Sequence, residues 1–334
     1  AASFIGRTPW EVSRDGRLLQ EAHQEAYRFY RHQPVTVGID IYNVEAEAYG
    51  ATVEGSDGTE VPSIHSHIFG SCAEILDQPH FDPERAGRCP LVMDAASALN
   101  RVLPDAQVNV PLGGPFSIAS NLVGFETLLM ELITEEELVG RALLHLAEGQ
   151  VRFGRAVLDR GLGISLFESA ATPPMLSPAS FAAAELPALS RIMDEIREQT
   201  DRAPACIMGG NTEPILDSLL AARPGFLVCP SETDQEAFIR RMQDHREVAV
   251  RINMSVEILA RGDREILEEE IRRVCTLCAS RPNTVVGTGV LPFNVDPETV
   301  RWVGERVVEY LSGRVVLNTA GDAAEALPDG AVPG

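Results

Sequence analysis

"PACIMGGNTEPILDSLL", residues 204–220, sets an apolar run, Ala205 to Met208, before a turn of Gly209-Gly210-Asn211 and a helix-like pattern from Thr212. Strand, glycine turn and helix in succession is how an α/β enzyme displays reactive groups at the carboxyl end of a sheet. Comparable runs recur along the chain: "VTVGID" (35–40), "VNVPLGG" (108–114), "ISLFES" (164–169), "GFLVC" (225–229), "VAVRINM" (248–254) and "TVVGTG" (284–289). Most are apolar on both faces, as strands of a buried parallel sheet must be. Helices with readable caps lie between them. Thr134-Glu135-Glu136-Glu137 reads as a capping box opening a helix through about Leu158. Ser177-Pro178 and Asp296-Pro297 each place a cap residue before a first-turn proline, and the second of these helices is expected to end near Leu311. Such alternation without a linker argues for a (β/α)8 TIM-like barrel in one domain, residues 1–317. The Ala/Gly/Pro-rich stretch 318–334 reads as a flexible tail. A doubly wound sheet is the competitor, and the missing dinucleotide fingerprint counts against it.

Composition narrows the chemistry. The net charge is -21, which disfavours a nucleic-acid backbone or an anionic membrane as partner. All 28 basic residues are arginine, so Schiff-base lysines and lysine-bearing phosphate loops are excluded. No apolar run approaches the roughly 20 residues of a membrane span. The opening residues lack the basic-then-apolar layout of a signal peptide, and six cysteines show no dense pattern. Reduced thiols and a cytoplasmic location are therefore expected.

In a barrel the chemistry sits at the carboxyl ends of strands. Those ends carry Asp40, Gly113-Gly114, Glu168, Asn211, Asn253 and Thr288, with Asn43 just beyond the first. Any one of these residue types serves equally well as a helix cap or a satisfied loop residue; their recurrence at one end is what points to a site. Two other clusters are weaker. His65 and His67 have alternate spacing with Cys72 nearby, but two ligands are half a metal site. Cys275 and Cys278 lie inside the helical pattern "REILEEEIRRVCTLCAS", where such spacing packs two small side chains on one helix face.

These segments together resemble the uroporphyrinogen decarboxylase superfamily, which includes cobalamin-dependent methyltransferases. The resemblance runs from about Val35 to Leu311, through "GIDIYNVEAEAYG", "VPLGGPFSIASNLVGFETLLMEL", "LFESAATPPMLSPASF", "GGNTEPILDSL", "VRINMSVEIL" and "VVGTGVLPFNVDPETV". It implies a barrel with Asp40 and Glu168 as active-site acids, and Asn43, Gly113, Gly114, Asn211, Asn253 and Thr288 around the ligand. The decarboxylase itself carries an arginine-rich segment near its start. Here only the dispersed Arg7, Arg14 and Arg17 stand there, which makes decarboxylation the alternative reading.

The superfamily's thiol methyltransferases, which serve coenzyme M, resemble the chain more closely. They hold zinc through a His-x-Cys pair and a last-strand cysteine, and the metal turns a thiol into a thiolate. At those places this sequence has Cys206-x-Met208 and Thr288, a degenerate set from which no zinc is expected. A tetrahydrofolate acceptor, with a neutral amine nucleophile, needs no such metal. The resemblance then implies transfer of a methyl group from methylcobalamin, or from a corrinoid protein, to tetrahydrofolate, as in demethylation of methylamines, betaines or aryl ethers. Thiol transfer with an unusual metal site and a non-catalytic barrel that binds a corrinoid protein are the further alternatives.

Overall fold

A strand with apolar residues on both sides has no face to show to water, so such strands collect in the middle of a layered fold. In this computed structural model, which describes residues 1–55 and 58–313, the seven apolar runs are the seven strands of one sheet. They are β1 (Val35–Thr36), β2 (Val108–Gly113), β3 (Gly163–Phe167), β4 (Ala205–Ile207), β5 (Phe226–Cys229), β6 (Ala249–Met254) and β7 (Thr284–Thr288). All neighbours are parallel and follow chain order, the arrangement of a TIM-like α/β barrel. Where eight strands were expected, seven lie among the described residues. The expected tail, 318–334, falls outside them.

The helices that matter below are α1 (Asn43–Ala48), α2 (Cys89–Val102), α3 (Pro115–Val123), α4 (Phe125–Thr134), α5 (Glu136–Asp159), α6 (Leu186–Thr200), α7 (Arg264–Ala279) and α8 (Pro297–Leu311). The Ser177 and Asp296 caps form as read, accepting from Ser180 N and Glu298 N. The expected box at Thr134 does not. Thr134 is the last residue of α4, and its hydroxyl donates to the Met130 carbonyl four residues back, 3.0 Å away. That bond turns the hydroxyl back along α4, and the N-cap of α5 falls instead on Glu135, whose side chain makes no cap bond. No single helix among the described residues is long and apolar enough to cross a membrane.

Register decides which side chains enter the barrel. Thr36 Oγ1 and Ser165 Oγ lie 3.4 Å apart, and Asn109 Nδ2, on the strand between them, donates to Ser165 Oγ at 3.0 Å. Side chains of three successive strands can meet only on the concave side. Aligned residues of parallel strands share a face, so the pairing carries that assignment around the sheet. Gly113, Phe167, Ile207, Phe226, Val228, Arg251, Asn253, Val285 and Gly287 face the lumen. The opposite set faces the helices: a Cβ on Gly154 of α5 would touch Leu112 and Ile164 at 3.4 Å.

Candidate active site

Asp40 lies just beyond β1 and is almost fully buried. Its carboxylate takes a two-pronged ion pair from Arg88, with Nη1 to Oδ1 at 2.8 Å and Nη2 to Oδ2 at 2.6 Å. Asn43 Nδ2 adds a contact at 3.3 Å. Arg88 also donates from Nε to Glu47 at 2.5 Å, and Arg14 holds the other Glu47 oxygen at the same distance. The simple structural role open to Asp40, capping the next helix, is not the one it has. Tyr42 is the N-cap of α1, without a side-chain cap bond, and sits at φ 73°. That left-handed conformation is costly for a bulky residue and recurs at functional sites. The Tyr42 hydroxyl donates to Ser169 Oγ at 2.8 Å, tying the ends of β1 and β3 together.

Asn43 bridges the same region: its Nδ2 donates to the Pro62 carbonyl at 2.7 Å and its Oδ1 accepts from Asn121 Nδ2 at 3.0 Å. Gly113 N donates to the buried Glu45 at 2.6 Å, while its carbonyl accepts from Gln150 at 2.6 Å. Burial pushes the Glu45 carboxyl up. Asn211 Oδ1 accepts from Thr233 Oγ1 at 3.0 Å, pinning the loop after β4 to the loop after β5. Asn253 faces the lumen at the end of β6, and its Oδ1 accepts from Arg251 Nε at 3.0 Å.

Glu168 does not join them. It stands just beyond β3, two residues after the outward-facing Leu166 and against the start of α3, with no exposed surface at all. Its carboxylate accepts from Ser117 N and Ala170 N, each at 3.1 Å, and from the Ser117 hydroxyl. Ser117 is the third residue of α3, so Glu168 does for this helix what a capping side chain would do. Gly114 belongs to the same packing, because a Cβ there would sit 2.2 Å from Glu168 Oε2.

Glu185, in a π-helical turn (Phe181–Glu185) before α6, packs beside Glu168. Neither of its carboxyl oxygens has a hydrogen-bond partner of good geometry. Burial and the neighbouring Glu168 charge raise its pKa well above the ordinary 4.5, and burial also raises that of Glu168. A carboxyl raised on folding holds its proton more tightly in the folded state. Its contribution to stability is full below the ordinary value and is lost as pH rises toward the raised one. Urea titrations should therefore show stability falling above about pH 4.5, at up to about 1.4 kcal/mol per pH unit for each such group. Glu185→Gln should flatten that slope; an unchanged slope would assign it to other groups.

The register also settles the sulfur positions. Cys206 pairs with Leu166 and Thr288 with Met254, so Cys206, Met208 and Thr288 all point away from the lumen. Burial, followed by the Glu168 and Glu185 charges, raises the Cys206 thiol. The lumen-facing residue at the end of this strand is Ile207, which offers no metal ligand. The described residues contain no group of three His, Cys, Asp or Glu disposed to hold a metal, so they do not fit a zinc ion. His65 and His67 bond apart, to Ser63 and to the Asn121 carbonyl, and Cys275 and Cys278 are buried in α7. A surface cleft of about 470 Å³ lined by Arg155, Leu158, Asp159 and Gln199 lies on the outer helices, remote from the strand ends.

Asp40, Asn43 and Gly113 thus cluster around the ends of β1 and β2, Asn211 and Asn253 stand at the ends of β4 and β6, and Glu168 and Thr288 turn to the helix side. Arg88, Tyr42, Glu185 and Arg251 were not singled out from sequence. Of these, only Arg251 had a readable signal: a charged residue at an alternate position of an otherwise apolar strand.

This parallel barrel with polar groups at its strand ends places the chain in the TIM-barrel fold class. Residues 1–310 match the uroporphyrinogen decarboxylase (URO-D) family, and the chain belongs to it. The match takes in the N-terminal helices that precede the recognisable motifs. A solved methyltransferase from Methanosarcina mazei is similar in structure, with a TM-score of 0.73 and 18% identity over 90% of this chain and 87% of that one. No curated protein matches the sequence.

Proposed function

We propose that the chain is a zinc-independent methyltransferase that moves a methyl group from a methylated corrinoid, presented by a corrinoid protein, to tetrahydrofolate. Family membership and the methyltransferase neighbour support methyltransferase- or decarboxylase-type chemistry. One observation carries the choice of acceptor: Ile207, and not Cys206, faces the lumen where a thiol acceptor would need soft metal ligands. A folate N5 attacks as a neutral amine and needs orientation rather than a metal. Asn211 and Asn253 supply amide partners for the pterin. Asp40, held by Arg88 and Asn43, fixes the shape of the mouth around it, and Glu168 supports the wall from behind. Decarboxylation of a small acid is the second reading, favoured by the Arg251 guanidinium inside the barrel.

Asn211→Ala and Asn253→Ala test the assignment. Each removes one oriented hydrogen bond, about 1–3 kcal/mol, and should slow methyl transfer roughly ten- to a hundredfold while the melting temperature moves little. Full activity in both variants would place the pocket elsewhere.

A further inference from the structure

The barrel interior differs between its two sides. On β4 to β6 the outward residues Cys206, Leu227, Cys229, Val250, Ile252 and Met254 are at most 1% exposed, whereas those of β7 are half-buried. Of the inward residues, Val228 and Asn253 are buried, Ala205, Ile207, Phe226, Ala249, Arg251 and Gly287 are half-buried, and Val285 is 36% exposed. A TIM-barrel interior is ordinarily filled with bulky side chains. Here glycine and alanine occupy several of those positions, β7 pairs with no strand on its far side among the described residues, and water reaches the lumen.

Arg251 lies in that space. Its Nε donates to Asn253 Oδ1, its guanidinium stands 6.0 Å from the Phe226 ring centre, and a Cβ on Gly287 would meet its Cδ at 2.4 Å. The other two deeply placed arginines are saturated. Arg88 holds Asp40 and Glu47, and Arg281 donates to the backbone carbonyls of Met242, His245, Val248, Pro282 and Asn283. Arg251 differs from both. Among the described residues no carboxylate lies within ion-pairing distance of it, and its two Nη groups have no partner. An acidic chain with 49 Asp and Glu could readily have supplied a carboxylate. A guanidinium fork left open in a partly desolvated space matches a carboxylate in two-pronged geometry. Ile207, Phe226, Val228 and Val285 around it are apolar.

We propose that the lumen between β4 and β7 binds a small organic acid, its carboxylate on the Arg251 fork beside Asn253 and its apolar body against Phe226 and Val285. The site is argued from the lumen alone and does not rest on a folate acceptor. Its test involves no methyl transfer, so the two readings stand or fall separately.

Calorimetric titration of the full chain with benzoate, and with benzamide as the uncharged control, is the experiment. Benzoate should bind saturably at one site, and benzamide should not displace it. Arg251→Met should weaken benzoate roughly tenfold or more. Val285→Glu keeps the test independent of how well that variant folds. Val285 is the residue aligned with Arg251 on β7, and a carboxylate there would occupy the fork from within and abolish benzoate binding in a folded protein. Benzoate failing to saturate the wild type, binding equally to Arg251→Met, or binding unchanged to Val285→Glu would each overturn the proposal.

Discussion

Replacing Arg88 by methionine should lower the unfolding free energy by about 3–5 kcal/mol, the cost of leaving one partner of a buried ion pair uncompensated. Arg88 is 5% exposed and Asp40 3%, so neither charge has water to fall back on. The loss propagates, because Arg88 also holds Glu47, which Arg14 alone would then have to neutralise. Methionine keeps much of the side chain's length, so the effect reports on charge rather than on a cavity. Urea unfolding of wild type, Arg88→Met, Asp40→Asn and the double variant measures it. Asp40→Asn should itself be clearly destabilised, and the double variant should lose much less than the two singles added together. Additive losses, or an Arg88→Met loss below about 1 kcal/mol, would mean that the pair contributes little.

Glu168→Ala should be nearly as damaging, and through folding rather than chemistry. The substitution strands the buried Ser117 N, takes the Ser117 hydroxyl's acceptor, leaves Ala170 N only its second acceptor, Ser117 Oγ, and removes the anion at the start of α3. Hydrogen bonds to a charged acceptor contribute about 1.5–3 kcal/mol each. Part of that is offset, because Glu185 no longer sits beside a charge. A net loss of about 3 kcal/mol in a urea titration is expected. The sequence alone placed Glu168 at the mouth as an active-site acid, a role in which its loss would fall on activity and not on folding. A Glu168→Ala protein of wild-type stability would restore that view and contradict the outward register of β3.

That reversal shows what the sequence could convey. All seven strands were legible, because a run such as Val248 to Met254 is apolar on both sides and bounded by turn residues. The same property hides the register. When both faces are apolar, nothing in "ACIMGG" says whether Cys206 and Met208 or Ile207 and Gly209 face inward, and a one-residue shift exchanges them. The ion pair of Asp40 was equally illegible. Its partner is 48 residues away in "ERAGRCP", just before α2, where no periodicity marks burial. The strand-end positions of Asn211 and Asn253 were legible because, unlike facing, they can be read from where an apolar run stops.

The central claim is methyl transfer from cobalt to a folate nitrogen, and the most direct measurement follows the absorbance of methylcobalamin under anaerobic conditions. The purified protein is mixed with methylcobalamin and tetrahydrofolate, with and without a metal chelator, beside a parallel reaction that offers a thiol instead. The account predicts protein-dependent loss of the methylcobalt spectrum with tetrahydrofolate, unaffected by the chelator, formation of 5-methyltetrahydrofolate, and little transfer to the thiol. Transfer to the thiol alone, abolished by the chelator, or no protein-dependent change with either acceptor, would contradict it.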